Sequence, residues 1–164
     1  MQPNPAYNTL LKKIRFTIVF FMIALALSGI TAFPLETELR WLLQFSNLMP
    51  AQLAAFITKV HEALRDTNLK YPMLAYGYDW LAFAHLVIAL FFIGPLRDPI
   101  KNIWVIEWGM LACIAIIPLA FIAGEVRGIP FYWKCIDCSF GIIGISPLYC
   151  VRKWIKQLSL LQGS

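Results

Sequence analysis

Charge is scarce in this chain. Asp, Glu, Lys and Arg make up 14% of its 164 residues, against about a quarter in ordinary soluble domains, and no charge occurs between Phe16 and Leu35. With 60% hydrophobic residues and a mean hydropathy of +0.68, a water-facing surface cannot be covered, which excludes a soluble globular class. Several enzyme signatures are missing as well. The sequence holds no P-loop, no Ser-His-Asp set, no HExxH metal motif and no dinucleotide fingerprint, which argues against an enzyme of those classes. Internal repeats, low-complexity tracts and a soluble domain boundary are also lacking.

What is present is a set of four apolar stretches, 16–35, 77–96, 103–124 and 129–151. A helix rises about 1.5 Å per residue, so about 20 residues cross the roughly 30 Å hydrocarbon layer. The spacing therefore predicts an all-α membrane protein, a four-transmembrane-helix bundle forming a single membrane domain over 1–164. Small residues let helix backbones approach in lipid. Ala24, Ser28 and Ala32 offer such a ridge on the first span, Ala82 and Ala89 on the second, Gly109, Ala112, Cys113 and Ala120 on the third, and Gly141 and Gly144 on the fourth.

The net charge of +5 does not point to nucleic acid, because the cations gather at span ends. Lys12, Lys13 and Arg15 precede the first span, Arg97 and Lys101 separate the second from the third, and Arg152, Lys153 and Lys156 follow the fourth. All fall on one side, so the positive-inside rule predicts cytoplasmic termini and an extracytoplasmic 36–75 loop in a bacterial cytoplasmic (inner) membrane. Tryptophans at the span ends (Trp80, Trp133, Trp104 and Trp154) agree with interfacial belts. The first apolar run exceeds a signal peptide's core and lacks a small-x-small cleavage site before Pro34, so it reads as a retained span.

The 36–75 loop has a helical pattern of its own. Leu53, Phe56, Ile57, Val60 and Leu64 recur on one face, with Lys59, Glu62 and Asp66 opposite and Pro50 suited to the first turn. Leu35, Leu39, Leu42 and Leu43 suggest a shorter second helix. One or two amphipathic helices are thus expected to lie on the headgroups or to cap the bundle.

Polar residues inside spans are costly and therefore candidates for function. His85 falls near the midplane, about 13 Å from the start of its span, with Tyr78 on its face. It is read either as a neutral histidine bonded across helices or as a relay or ligand group. Membrane haem of the b type commonly needs two axial histidines, and the other one, His61, belongs to the loop helix; no cofactor is expected. Asp79, Arg127, Lys134 and Asp137 collect at the outer end, where mutual pairing would lower their cost. They are read either as a register-fixing ion network or as a polar recess for a lipid headgroup, a quinone or another small amphiphile. Glu107 is expected to reach the inner headgroups or to meet Arg97 or Lys101.

Cys135-Ile136-Asp137-Cys138 has the spacing of a redox pair near a helix start, where the dipole favours a thiolate. Four helices with such a pair at the outer end of the fourth resemble the vitamin K epoxide reductase architecture and, more loosely, quinone-coupled disulfide-forming membrane proteins. That resemblance implies a second cysteine pair in an outer loop. The outer loops here carry no cysteine, Cys113 lying mid-membrane and Cys150 at the inner end, so membership is not inferred. The four cysteines are also too far apart along the membrane normal to share a tetrahedral zinc site.

Two functions follow as expectations. The first is binding of a membrane lipid, quinone or other amphiphile through Tyr78, Asp79, His85, Arg127, Lys134 and Asp137, or an accessory role in a homo-oligomer or larger membrane complex. The other is a membrane thiol-disulfide oxidoreductase using Cys135 and Cys138 with a quinone.

Overall fold

A computed structural model describes Pro5–Gly163. All regular structure among these residues is helical, in the order α1 (Pro5–Ala32), α2 (Leu35–Leu43), a 3-10 turn (Ser46–Leu48), α3 (Ala51–Lys70), α4 (Pro72–Phe91), α5 (Ile93–Arg97), α6 (Ile103–Val126) and α7 (Phe131–Gly163). Four of these stretches, α1, α4 continued through α5, α6 and α7, are long and apolar enough to cross a membrane.

The helices begin and end for local reasons. Pro34 cannot donate to the α1 ladder, so α1 stops at Ala32. The next helix, α2, starts at once with Glu36 and Glu38 in its first turn and Arg40 in its last, each sign matching the helix dipole. Pro50 stands just outside α3, its carbonyl accepting from the Leu53 and Ala54 amides. Pro72 opens α4 at the position where a missing N–H costs least. Pro118 and Pro147 lie inside α6 and α7, an arrangement that membrane helices accommodate when neighbouring groups re-satisfy the freed carbonyls.

The outer helices run past their apolar stretches. At 28 and 33 residues, α1 and α7 measure about 42 and 50 Å. The span expected at 16–35 falls on a helix that begins earlier, at Pro5, and stops at Ala32, and the one expected at 129–151 falls on a helix that begins at Phe131 and continues to Gly163.

The fold divides into two compact units, the second being Ala24–Ala89 and the first the remainder of the described residues. In the first unit, α6 and α7 pack along each other in opposite directions. Glycines set their separation. A Cβ on Gly141 would come 2.5 Å from the Cys113 carbonyl oxygen, and one on Gly144 would come 3.0 Å from the Cys113 sulfur. Further along, Gly109 faces Leu148 at 3.0 Å and Phe92 at 3.1 Å. The core of this unit concentrates at its basic end. Ile14, Ile18, Ile106, Leu148, Val151, Ile155 and Leu158 are all at or below 1% exposure, and the 3-4-3 spacing from Leu148 to Leu158 is what holds the last turns of α7 in place.

The connection from α4 to α6 is built rather than loose. Asn102 donates its side-chain amide to the carbonyls of Asp98 at 2.9 Å and Gly94 at 3.2 Å, and Asp98 accepts from the Lys101 amide at 3.1 Å. Arg15 donates to the Leu96 carbonyl at 3.2 Å, so side chains satisfy the backbone that short α5 leaves open. Glu107 meets Arg152 across the α6–α7 pair at 2.7 Å. It was expected to reach the inner headgroups or to meet Arg97 or Lys101; the antiparallel register brings Arg152 of α7 level with the second turn of α6.

In the second unit, Gly29 of α1 is the contact with α4. A Cβ there would lie 2.7 Å from the Ala82 carbonyl and 3.0 Å from His85 Cβ. The expected ridge differs, since Ala24 and Ser28 are exposed and Gly29 is buried. Only a residue without Cβ admits so close a crossing. Helix α2 packs on α3, whose Ile57 is buried while Lys59, Glu62, Arg65 and Asp66 face outward. The Lys70 ammonium, 2.8 Å from Asp66, holds that exposed carboxyl below its ordinary range.

These approaches make a paired prediction. Gly141→Ala should destabilise the protein by about 1–3 kcal/mol, because a backbone carbonyl has to move. Gly77→Ala, with nothing within 4 Å of the added carbon, should be neutral or stabilising by up to about 1 kcal/mol through helix propensity. Denaturation in detergent followed by circular dichroism compares them; equal effects would refute the assigned contact.

Candidate functional site

The turn joining α6 to α7 organises the polar residues of the first unit's turn end. Gly128 takes φ 64°, the left-handed conformation that ends helices. The Ile129 amide donates to the Gly124 carbonyl at 2.8 Å and the Gly128 amide to the Glu125 carbonyl at 3.1 Å, the two bonds of a Schellman motif. Pro130 then starts α7 immediately, its carbonyl accepting from Trp133 and Lys134. A tight reversal of this kind sets the first turn of α7 against the last turns of α6.

Lys134 exploits that proximity. Its stem lies in the notch left by Gly124, where a Cβ would fall 2.8 Å from Lys134 Cδ. Its ammonium donates to Glu125 at 2.6 Å, with the lysine side chain 8% and the glutamate 81% exposed. The methylenes are thus buried while the charge is delivered to a carboxylate in contact with solvent, which avoids an unpaired buried ammonium. The pair also offsets two unfavourable placements, an anion at the C-terminus of α6 and a cation in the first turns of α7.

Mutual pairing of Lys134 and Asp137 was expected from their spacing of three. The structure gives Lys134 to Glu125 instead, and no ion pair joins Asp137 to any described residue of its unit. Asp137 takes part in something different. Together with Arg127 it lines an open groove of about 270 Å³ whose other walls are Ile116, Leu119, Ala120, Ala123, Gly124 and Ile129. Two charges of opposite sign therefore border an apolar trough on α6 and α7.

Beside them on α7, Cys135 is exposed and Cys138 buried, and both are free thiols. Cys138 shares the close-packed face with Gly141, also buried. Cys113 is buried against Gly141 and Gly144, where it acts as a small packing residue.

The remaining candidates belong to the second unit and serve separate ends. Tyr78 donates its hydroxyl to the Asn68 side-chain carbonyl, and Asn68 donates its amide to Glu36 at 2.5 Å. This three-residue chain fastens α2 and α3 to α4. Asn68 was not among the candidates; its place on the Ile57, Leu64 face of α3 was the available signal. His85 bonds through Nδ1 to the Leu81 carbonyl at 2.9 Å. A carbonyl only accepts, so Nδ1 is the donor in this bond. His61 Nε2 is buried with no hydrogen-bond partner among the described residues. Asp79 lines an aromatic cavity with Phe33, Tyr76, Trp80 and Phe83. The six candidates thus divide among a helix staple, an aromatic cavity, a back-bonded histidine, an ion pair and a charged groove.

Lys134 supplies the test of this geometry. Lys134→Ala should cost about 2–3 kcal/mol, since it empties the Gly124 notch as well as removing the pair. Lys134→Met, which keeps most of the stem, should recover more than half of that loss, whereas Arg40→Ala at an exposed site should stay within about 0.5 kcal/mol. Thermal unfolding in detergent measures all three; equal losses for Lys134→Ala and Arg40→Ala would remove Lys134 from any structural role.

No family model, curated protein or solved structure matches this chain.

Proposed function

We propose that the protein is a multi-pass membrane protein that binds a small amphiphile, a lipid, a quinone or a molecule of similar form, in the groove on α6 and α7. The observation that supports this reading is the pairing of an apolar trough with Arg127 and Asp137 at its border. Binding sites for small molecules are mostly apolar with a few placed polar groups. The volume of about 270 Å³ suits a head or ring, not a whole phospholipid. Arg127 offers donors to a carbonyl or phosphate oxygen, and Asp137 accepts from a hydroxyl or amine on the same head. The tail would lie along Ile116, Leu119 and Ala120. With the cations of the other end cytoplasmic, the groove opens in the outer leaflet of a cytoplasmic membrane.

A second reading, thiol-disulfide exchange, draws on the exposure of Cys135 beside buried Cys138. With Cys135 and Cys138 oxidised to a disulfide, a thiolate of an exported partner would attack it, and the partner's second thiolate would resolve the mixed disulfide, leaving the partner oxidised and the cysteine pair reduced. The reduced pair would then be reoxidised by a quinone, which takes up two electrons and two protons to become the quinol.

Two measurements bear on these readings. Labelling of single cysteines introduced into a cysteine-free background should find the 36–75 loop extracytoplasmic and residues 155–164 cytoplasmic; a cytoplasmic loop would reverse the orientation. Decyl-quinone and a short-chain phosphatidylethanolamine, added separately to detergent-solubilised protein, test binding by shift in unfolding temperature. Arg127→Gln or Asp137→Asn should weaken the binding ligand by about fivefold or more, on the scale of one charge-assisted hydrogen bond, with the folding transition retained. Unaltered affinity in both variants would exclude the groove. Changing Cys135 and Cys138 together to serine should leave that binding intact and should leave the oxidation of exported thiols in cells unchanged; loss of the oxidation with the fold intact would promote the second reading.

A further inference from the structure

The ends of α1 and α7 that overrun the apolar stretches border a groove of about 680 Å³ in the first unit. Leu10 of α1 and Leu160 and Leu161 of α7 line it, with Lys13 and Gln157 also in its walls. The residues next to the walls are firmly packed, Ile14, Ile155 and Leu158 being at or below 1% exposure. Leu160, by contrast, keeps 75% of its surface open.

Depth limits what can fill this groove. Leu10 lies six residues before Phe16 and Leu160 nine after Val151, about 9 and 14 Å beyond the apolar stretches at helical rise. The headgroup layer is about 5–8 Å thick on each side. A lipid phosphate would therefore meet the cations of this end and leave the leucines in water. A free amphiphile would enter the adjacent hydrocarbon in preference to an open groove. An amphipathic protein segment, anchored by the polar remainder of its own chain, has no such alternative.

Charge limits the occupant further. Segments 5–15 and 151–163 hold Lys12, Lys13, Arg15, Arg152, Lys153 and Lys156 and not one Asp or Glu. Arg152 is committed to Glu107 and Arg15 to the Leu96 carbonyl. Lys13, Lys153 and Lys156 are exposed and pair with no carboxylate among the described residues. Lys153 precedes Gln157 by four residues and Lys156 precedes Leu160 by four, so each stands one turn nearer the membrane on the same row of α7. Lys13 holds the corresponding end of the α1 wall. A basic collar thus borders the groove where it approaches the membrane. A second copy of the chain would bring the same cations to this place and be repelled.

We infer that the groove at the ends of α1 and α7 receives an acidic amphipathic helix of a partner protein. Its apolar residues cover Leu10, Leu160 and Leu161, and carboxylates at its membrane end meet Lys13, Lys153 and Lys156. This is a helix-in-groove contact whose charges select the partner. The ligand groove on α6 and α7 has no part in it.

Photo-crosslinking in cells tests this on the full chain, with p-benzoylphenylalanine in place of Leu160 and, separately, of Leu10. Irradiation should give a protein adduct, and mass spectrometry of its linked peptide should find apolar residues at helical spacing with an excess of Asp and Glu. A synthetic peptide of that sequence should then bind the purified protein in detergent, read by fluorescence anisotropy. Leu161→Ser should weaken it about tenfold or more, as for a leucine buried by the contact. Lys13→Gln combined with Lys153→Gln should weaken it about threefold or more, as for two exposed ion pairs, with the unfolding transition retained. Adducts only with phospholipid, with a second copy or with a peptide lacking that pattern would each overturn the inference. So would the absence of a protein adduct at both positions, or a peptide affinity unchanged in both variants. Where Leu161→Ser fails to fold, the lysine pair, at exposed sites, carries the test by itself.

Discussion

The approach of α7 to the Cys113 carbonyl of α6 is the constraint on which the first unit depends. At Gly141 the distance from an added Cβ to that oxygen would be 2.5 Å, so the pair closes to a separation available only to glycine. Between apolar helices in lipid, burial supplies little net drive, and association rests on dispersion across such close contacts. Other features follow from the same seam. Gly144 seats the Cys113 sulfur, Gly109 receives Leu148, and Gly124 admits the Lys134 stem. The antiparallel register that these glycines fix is what brings Glu107 to Arg152 at one end and Glu125 to Lys134 at the other. Two ion pairs, each linking α6 to α7, therefore terminate the seam where water becomes available to their charges.

The charges that the seam does not engage acquire other possibilities. Once Lys134 is committed to Glu125, Asp137 and Arg127 are left bordering an apolar groove. In the second unit, Tyr78 is occupied in holding Asn68 and, through it, Glu36, while Asp79, one residue further along α4, borders an open recess lined by four aromatic residues. Neighbours in sequence thus divide between holding the fold and facing open space. A polar group in or near hydrocarbon carries an energetic cost that a partner must offset.

Much of the helical organisation was legible residue by residue. The uncharged run from Phe16 to Leu35 marks a membrane-crossing helix by length alone, although the helix itself ends at Ala32, before Pro34. The alternation of Leu53, Ile57, Val60 and Leu64 with Lys59, Glu62 and Asp66 describes α3 and its exposed face. Boundaries were less legible where apolar content and helix part company. The buried residues Ile155 and Leu158 are separated by cationic and polar side chains, so a scan for apolar runs stops at Val151 although the helix goes on to Gly163. The first span's contact was also misjudged by one position. Ala24, Ser28 and Ala32 form a regular small-residue ridge, yet Gly29 makes the crossing because its bare backbone meets the Ala82 carbonyl.

The sequence by itself determined four helices able to cross a membrane, an expectation of one or two amphipathic helices between the first two, the gathering of cations at span ends and the list of polar residues worth attention. Each is a property of a single segment, set by its periodicity, length and charge. Tertiary structure decided the partnerships: Lys134 with Glu125 in place of Asp137, Glu107 with Arg152 in place of Arg97 or Lys101, Tyr78 with Asn68, and Asp79 among four rings. A helical pattern states which residues share a face of one helix. Which residue stands opposite depends on the register between helices, and that is set by where glycine backbones allow them to touch.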